Sequence, residues 1–575
     1  MVTHTHAGLF RASAIALACI AIMLTHAPVT AGAAKSHGKK DALTQKAKHS
    51  SASDIDSLTW VDHDGQPIPK PPKWETRMYS DFIREGFTEP VTWMFDIPDK
   101  VIYCAKAFGA DTDREAANVN ELDEVPNSTW FTNRNHVRAV PVEEMRRGAY
   151  PSKKPAKPWT ITHAKQGGRT VGFQIKDAEG TKWLVKLDPL GYPQIISGAD
   201  RVACTLFHAA GYNVPHNEAV RFQRSDLTID PDLLAGKEDD AFSEADLDAL
   251  LAQGATFEDR SFAASASEFL SGTVLGSPNS RRKRPGDAND WYDHTNRREL
   301  RGLYVICSWL NSWDTKDKNF LDTFVEVADS SGYVSHYVLD VGASLGASGA
   351  GPKSLWHGYE YMVDYGWIAR RLVTLGFVEE PWRRAHQETG MPCVGRFTSD
   401  RYKPDEFRSI LPNPIFDAMT ERDGYWGAKI VASFSDAQIR AAVESAGYED
   451  PAASEYVFKT IVDRRNKAVG DWFNRVAPLD FFHVEGDTLL FHDLAVDLRM
   501  EEPREYDVQM ESEGSGGKSE DRLRLSGTKL ALSGFDPGIS TLAIELAIAA
   551  NDAKPTRIEL HKSGPQWVVT RVRHG

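Results

Sequence analysis

One stretch, "NSWDTKDKNFLDTF" (Asn311–Phe324), constrains the fold of this chain more than any other. It leaves an apolar helical run, "RRELRGLYVICSWL" (Arg297–Leu310), and enters two alternating segments, about Phe320–Ala328 and Tyr333–Leu339, joined by an "SSG" turn. In such a hairpin the start of the first strand lies beside the end of the second. Asn319 therefore belongs beside Asp340, and Asp314 reaches the same corner from the incoming loop. Two carboxylates and an amide are hard oxygen ligands, suited to a Mg²⁺ ion that bridges phosphates. Gly342, just after Asp340, permits a sharp turn. By itself the stretch reads more readily as a solvated loop with capping and turn aspartates. The sequence upstream shifts that balance.

"KQGGRTVGFQIKD" (Lys165–Asp177) is a glycine-rich strand-turn-strand, and the free amides around Gly167, Gly168 and Gly172 can cover phosphates. Lys186 then sits inside the apolar strand "WLVKL", either as an edge-strand charge reaching solvent or as a phosphate ligand. Asp200, expected in the first turn of the next helix, either holds that lysine or complements the helix dipole. The order is glycine loop, strand lysine, helix acid, D-x-K-x-x-N, hairpin and D-x-G. Phosphoryl transfer needs these parts: a phosphate cover, a neutralising cation, a base for the acceptor hydroxyl and metal ligands.

"DTKDKNF" followed by "YVLDVGASLG" resembles the protein-kinase-like fold, most closely the HipA-like and CotH-like atypical kinases. The resemblance spans about Trp159 to Trp472, specific at the catalytic and metal motifs and looser at the glycine loop. It implies that Asp314 is the catalytic base and that Lys316 neutralises the transferring group. It makes Asn319 and Asp340 ligands of Mg²⁺ or Mn²⁺. Lys186, Asp200, Gly167, Gly168 and Gly172 would bind ATP or another nucleotide. This chain departs from the pattern in having Asp200 where a glutamate is usual and Val341 where many kinases have phenylalanine.

The net charge of −14 excludes a general nucleic-acid binder, which needs a basic field. Residues 1–34 read as a secretory signal: Arg11, the apolar run "ASAIALACIAIML", then "APVTAGAAK" with a cleavage option near Ala33. The run falls short of the roughly 20 residues a span needs. Cys19 lacks the surroundings of a lipidation site, and no later segment is apolar enough to cross a bilayer. The expectation is an exported protein, periplasmic or extracellular, with no transmembrane span in the mature chain. Four cysteines remain after export, Cys104, Cys204, Cys307 and Cys393, and none has metal-ligand spacing.

The expected organisation is a signal (1–34), a polar tether (35–59), an irregular Trp- and Pro-rich extension (60–150), an N-lobe (151–225), a C-lobe (226–478) and a small β domain (479–575). The fold class is thus α+β, a two-lobed protein-kinase-like core with an N-terminal extension and a C-terminal β domain. "RRKRPGDANDWYDHTNRRELRG" (Arg281–Gly302) reads as a surface loop ahead of a helix in preference to a site for an acidic substrate, Glu299 as part of an exposed helix pair, and His294 and His336 as structural. The leading expectation is Mg²⁺-dependent phosphoryl or nucleotidyl transfer from a nucleotide to an unknown protein or envelope acceptor. Two alternatives stay open. One is a kinase-like scaffold that binds an envelope partner without turnover. The other is a carbohydrate or peptide binder, suggested by the Trp-rich extension.

Overall fold

The computed structural model describes residues 62–74, 114–148, 150, 154–165, 168–236, 242–328, 330–383, 388–514, 517–533 and 539–575. The leader-like segment, the tether, Cys104 and Gly167 lie outside the described residues.

Period-two alternation builds the first sheet. Strands β1 (Trp159–Ala164), β2 (Gly172–Lys176) and β3 (Lys182–Leu187) pair antiparallel in sequence. The β2–β3 turn closes on Asp177, whose carboxylate accepts from the Glu179 and Thr181 amides. Helix α1 (Ile195–Ala210) and strands β4 (Asn217–Phe222), β5 (Leu227–Ile229) and β6 (Phe262–Glu268) follow. The sheet order is β4-β6-β3-β2-β1-β5, so β3 is an interior strand and Lys186 is not an edge charge. Trp159, Ile161, Phe173, Ile175, Trp183, Val185 and Leu187 fill the core behind it. Each such side chain stabilises the lobe by roughly 1.5–3 kcal/mol through burial.

Asp188, directly after β3, fixes the start of α1. Its carboxylate accepts from the Gln194, Ile196 and Ser197 amides and the Ser197 hydroxyl. The helix therefore begins at Ile195, earlier than expected, and Asp200 falls in its second turn rather than its first.

The second lobe is mainly helical. All of α2 (Arg298–Leu310) is buried, against α4 (Glu421–Ala432) and α6 (Pro451–Phe473). Between α2 and α4 lie strands β8 (Phe320–Ala328) and β9 (Ser331–Val338) and the short helix α3 (Tyr365–Val373). Helix α5 (Asp436–Glu444) precedes α6. The β8–β9 hairpin is flanked by β7 (Thr273–Gly276) and by a two-residue strand, Ile68–Pro69. Val125, Trp130, Phe131 and Met145 from the N-terminal extension enter the same core as α1, α2, α4 and α6.

The segment expected to be a surface loop is exposed at Arg281–Lys283, Pro285, Gly286, Ala288, Trp291 and Asp293, but several of its charged side chains and all of Arg297–Gly302 are buried. Arg284 pairs with Asp322, and Arg297 and His294 pair with Asp290. Arg298 pairs with Asp123 and Asp423, and Arg301 with Asp423. Glu299 is not exposed either: it is fully buried and accepts from Asn118. The extension supplies Asn118 and Asp123, so this segment is covered by residues far away in the sequence. His336 is bonded to Asp322 and stacks on Trp130, a structural placement.

From Leu479 onward the chain is almost all β. Strands β10 (Leu479–Glu485), β11 (Thr488–Asp493) and β14 (Lys529–Ala531) form one sheet. A second is ordered β13-β12-β15-β16-β17, with β12 Glu505–Gly514, β13 Gly517–Ser526, β15 Ile539–Ile548, β16 Thr556–Ser563 and β17 Gln566–His574. Leu489, Tyr506, Ile544, Leu546, Ile558 and Trp567 give this region its own core. The whole is the expected two-lobed α+β arrangement. Among the described residues no helix is long and apolar enough to cross a membrane.

Candidate functional site

Helix α2 stops because Asn311 turns into the left-handed region, with φ of 51°. The loop that follows is locked to the far end of the hairpin. The Asn319 side-chain amide donates to the Asp314 carbonyl, and the Leu339 amide donates to the Asn319 carbonyl at 2.7 Å. With Phe320 opposite Val338, Asn319 stands beside Leu339 and Asp340. Asp340 is itself left-handed, with φ of 54°, so the chain leaves the strand there. Gly342 then passes close under α1: a Cβ there would lie 3.1 Å from Ile196 Cγ2 and 3.5 Å from Asp200.

Two lysines complete the corner. Lys186 Nζ donates to Asp340 Oδ1 at 2.7 Å, joining the lobes, and Lys316 Nζ donates to Asp314 Oδ1 at 2.7 Å. The Lys186 side chain is 13% exposed and that of Asp340 53%, so the lysine is walled in while the carboxylate opens to solvent. Burial alone would lower the Lys186 pKa, but the Asp340 and Asp200 carboxylates overcome it and hold it above the usual value. Lys186 in turn holds Asp340 below the usual carboxylate range, with Lys316 and Lys165 adding to the effect. Asp314 goes the other way: burial raises its pKa, Lys316 opposes, and the Asp340 charge adds to the rise.

Asp200 lies next to this corner but makes no direct bond to Lys186. Its carboxylate accepts from Asn217 Nδ2 at 2.9 Å and Ser265 Oγ at 2.5 Å, and reaches Lys186 only through space. Its second-turn position and short side chain account for that. Gly172 pairs in register with Lys186, and a Cβ there would stand 2.1 Å from the Val185 carbonyl, so only glycine lets the strands approach. Gly168 is exposed on the loop with φ of 78°. Arg169 and Thr170 lie against Gly349, downstream of Asp340, so the loop leans on the second lobe. Sequence reasoning passed over Lys165, whose ammonium donates to the Thr170 carbonyl at 2.7 Å and whose charge acts on Lys186 and Asp340. Its only signal was a lysine one residue ahead of two glycines.

Among the described residues no three His, Cys, Asp or Glu side chains gather as a metal cluster. The corner offers two carboxylates and the Asn319 amide oxygen, an all-oxygen set that fits a hard cation completed by water and phosphate. Each carboxylate already holds an ammonium, which an entering cation would displace. Cys204, Cys307 and Cys393 are buried free thiols, and Cys204 accepts from Asn217 Nδ2 beside Asp200.

No protein-family model matches the chain, and no curated protein sequence matches it. Among solved structures, the Golgi casein kinase with Mn/ADP bound is similar at 12% identity and a TM-score of 0.29, over 58% of this chain and 74% of that one. A second structure of the Golgi casein kinase gives 12% identity and a TM-score of 0.27, over 56% and 74%. Superpositions this loose carry no argument about what the chain does.

Proposed function

We propose that this protein is a kinase-like phosphotransferase that moves a phosphoryl or nucleotidyl group from a nucleotide, ATP or another, to a hydroxyl acceptor. The observation that carries the reading is the corner itself. Asp314, Asn319 and Asp340 converge there, each carboxylate touched by a lysine at 2.7 Å. Asp314 accepts the proton of the acceptor hydroxyl as its oxygen bonds to phosphorus. The bond from phosphorus to the nucleotide leaving oxygen breaks, and the electron pair departs on that oxygen. Lys316 neutralises charge on the group in transit, and Lys186 holds the phosphates of the donor. Asn319 and Asp340 would hold a Mg²⁺ or Mn²⁺ ion, which supplies charge neutralisation when bound. The leader-like residues 1–34 motivate an export assignment, with an acceptor in the envelope or beyond it.

A second reading is a kinase-like scaffold that binds an envelope partner without turnover. The same ion pairs favour it: both carboxylates are already neutralised by lysines, so the corner is electrostatically complete without a metal. Calorimetric titration of the full chain with MgATP and MnATP, beside radiolabel transfer to envelope extract, decides between them. Binding with transfer is the expected result. A chain that binds neither nucleotide sinks the transferase reading, and binding without transfer to any acceptor fraction leaves the scaffold.

A further inference from the structure

We infer that Arg282 and Lys283 form an acceptor-recognition surface, and that the acceptor they select is a polypeptide with acidic side chains close to its hydroxyl. The inference rests on the transferase reading above and deepens it by naming the acceptor class.

The two residues belong to a loop that touches the one carrying Asp314. The Ser280 amide donates to Asp317 Oδ2 at 3.3 Å. Asp317 opens the turn Asp317–Asn319, which follows Lys316 and leads into β8. The contact thus falls between the proposed base and Asn319. The backbone under the basic run is fixed from both sides. Asn279 Oδ1 accepts from the Arg281 amide at 2.8 Å and the Arg282 amide at 3.1 Å, and the Asn279 carbonyl accepts from the buried His294. Beyond the run, the Arg284 amide donates to Asp290 Oδ2 at 2.6 Å, and its guanidinium to Asp322 Oδ2 at 2.7 Å and the Leu275 carbonyl at 2.6 Å. Arg284, Asp290 and Asp322 are all buried.

Between these anchors the chain presents its charge outward. Arg281 is exposed, and its charge acts on the chain's own Asp417. Arg282 and Lys283 are exposed as well, and among the described residues neither side chain forms an ion pair. The Lys283 amide lies 3.4 Å from Asp293 Oδ1. A merely solvated pair of charges needs no buried scaffold beneath it. The chain as a whole carries a net charge of −14, so an acidic ligand is repelled by most of it and drawn to a local basic point. The planar fork of arginine pairs with a carboxylate through two hydrogen bonds at once. A polypeptide carries a hydroxyl and carboxylates within a few residues of one another, as a loop beside Asp314 requires.

The test is fluorescence anisotropy of the full chain with two labelled peptides, one a serine flanked by aspartates and the other with asparagines in their place, followed by radiolabel transfer from MgATP to each. Wild type should bind the acidic peptide about five- to tenfold more tightly, what two exposed charge pairs supply, and the margin should shrink as salt rises. Replacing Arg282 and Lys283 together by serine should erase the margin and keep the wild-type unfolding midpoint. Arg282→Lys, which keeps the charge, should retain most of the margin. Transfer should favour the acidic peptide. If wild type binds both peptides alike, or the double variant keeps the preference, the inference is wrong. A surface that takes a uronic-acid polymer and not the acidic peptide overturns it too. If wild type binds MgATP and prefers the acidic peptide but transfers nothing to it, the surface does not serve the acceptor. A wild type that binds no MgATP overturns the transferase reading itself, and the acceptor role falls with it.

Discussion

Asp340 and Asp314 occupy one corner in opposite electrostatic settings, and that difference predicts different failures. Asp340 is held ionised by Lys186, as a cation ligand must be. Asp340→Ala should abolish Mg²⁺-dependent nucleotide binding in a calorimeter. On the proposed reading Asp314 serves the acceptor, so Asp314→Ala should retain most binding and lose turnover by about 10² to 10⁴, the usual range for a general base. Equal loss of binding in both variants would contradict the division of roles. The pH profile follows from the raised pKa of Asp314. A base works only when ionised, so turnover should fall as pH drops through a value above the ordinary aspartate range of about 3.9. Lys316 opposes the rise. Lys316→Met should therefore push that acidic limb to higher pH, read from kcat/KM against pH. A limb that stays put or moves down would exclude Asp314 as the base.

At the scale of elements, local pattern made some parts legible and long-range contact hid others. The first three of the six strands in the first lobe's sheet were readable because alternation of Trp159, Ile161, Phe173, Ile175, Trp183 and Val185 is a local signal. The convergence of Asn319 and Asp340 was readable because a hairpin is a local motif. The start of α1 was not, because Asp188 caps it from across a loop. The burial of Arg297–Arg301 was not readable either, since Asn118, Asp123 and Asp423 lie elsewhere in the chain. Helix α3 presents the reverse case. None of its residues is buried, and Leu372, Val373, Leu375 and Phe377 are 72–87% exposed in and just after it. Replacing Leu372 and Phe377 by serine removes no core contact, so stability to denaturant should stay within about 0.5 kcal/mol per site. Self-association at high concentration, followed by light scattering, should fall as the apolar patch shrinks. A clear loss of stability would mean that these side chains are covered.

For the whole molecule, the change of periodicity near Leu479 marks the β region but hides how it is attached. Lys429 on α4 is buried between Glu124 of the extension and Asp480 of β10, the latter at 2.7 Å. Trp426 donates to Glu124 and Tyr425 to Asp480. His574, at the end of β17, bonds Asp123, and Val572 donates to the Glu121 carbonyl. Three stretches far apart in sequence thus share one buried cation, which ties the extension and the β region to the helical lobe. Cutting the chain at Asp480 would remove one counter-charge and the cover over the others, so the core is not expected to survive that truncation intact. The cleaner test is Lys429→Met. It leaves Glu124 and Asp480 buried without their cation, and removing one partner of a buried ion pair costs about 3–5 kcal/mol. Combining Lys429→Met with Glu124→Gln and Asp480→Asn removes the stranded charges and should recover much of the loss, because the penalty lies in the uncompensated carboxylates rather than in lost packing. Denaturant unfolding of the three-way variant beside the single one reads this directly. A single variant that loses less than about 1 kcal/mol, or a triple variant no more stable than the single, would show that this cation does not hold the three parts together.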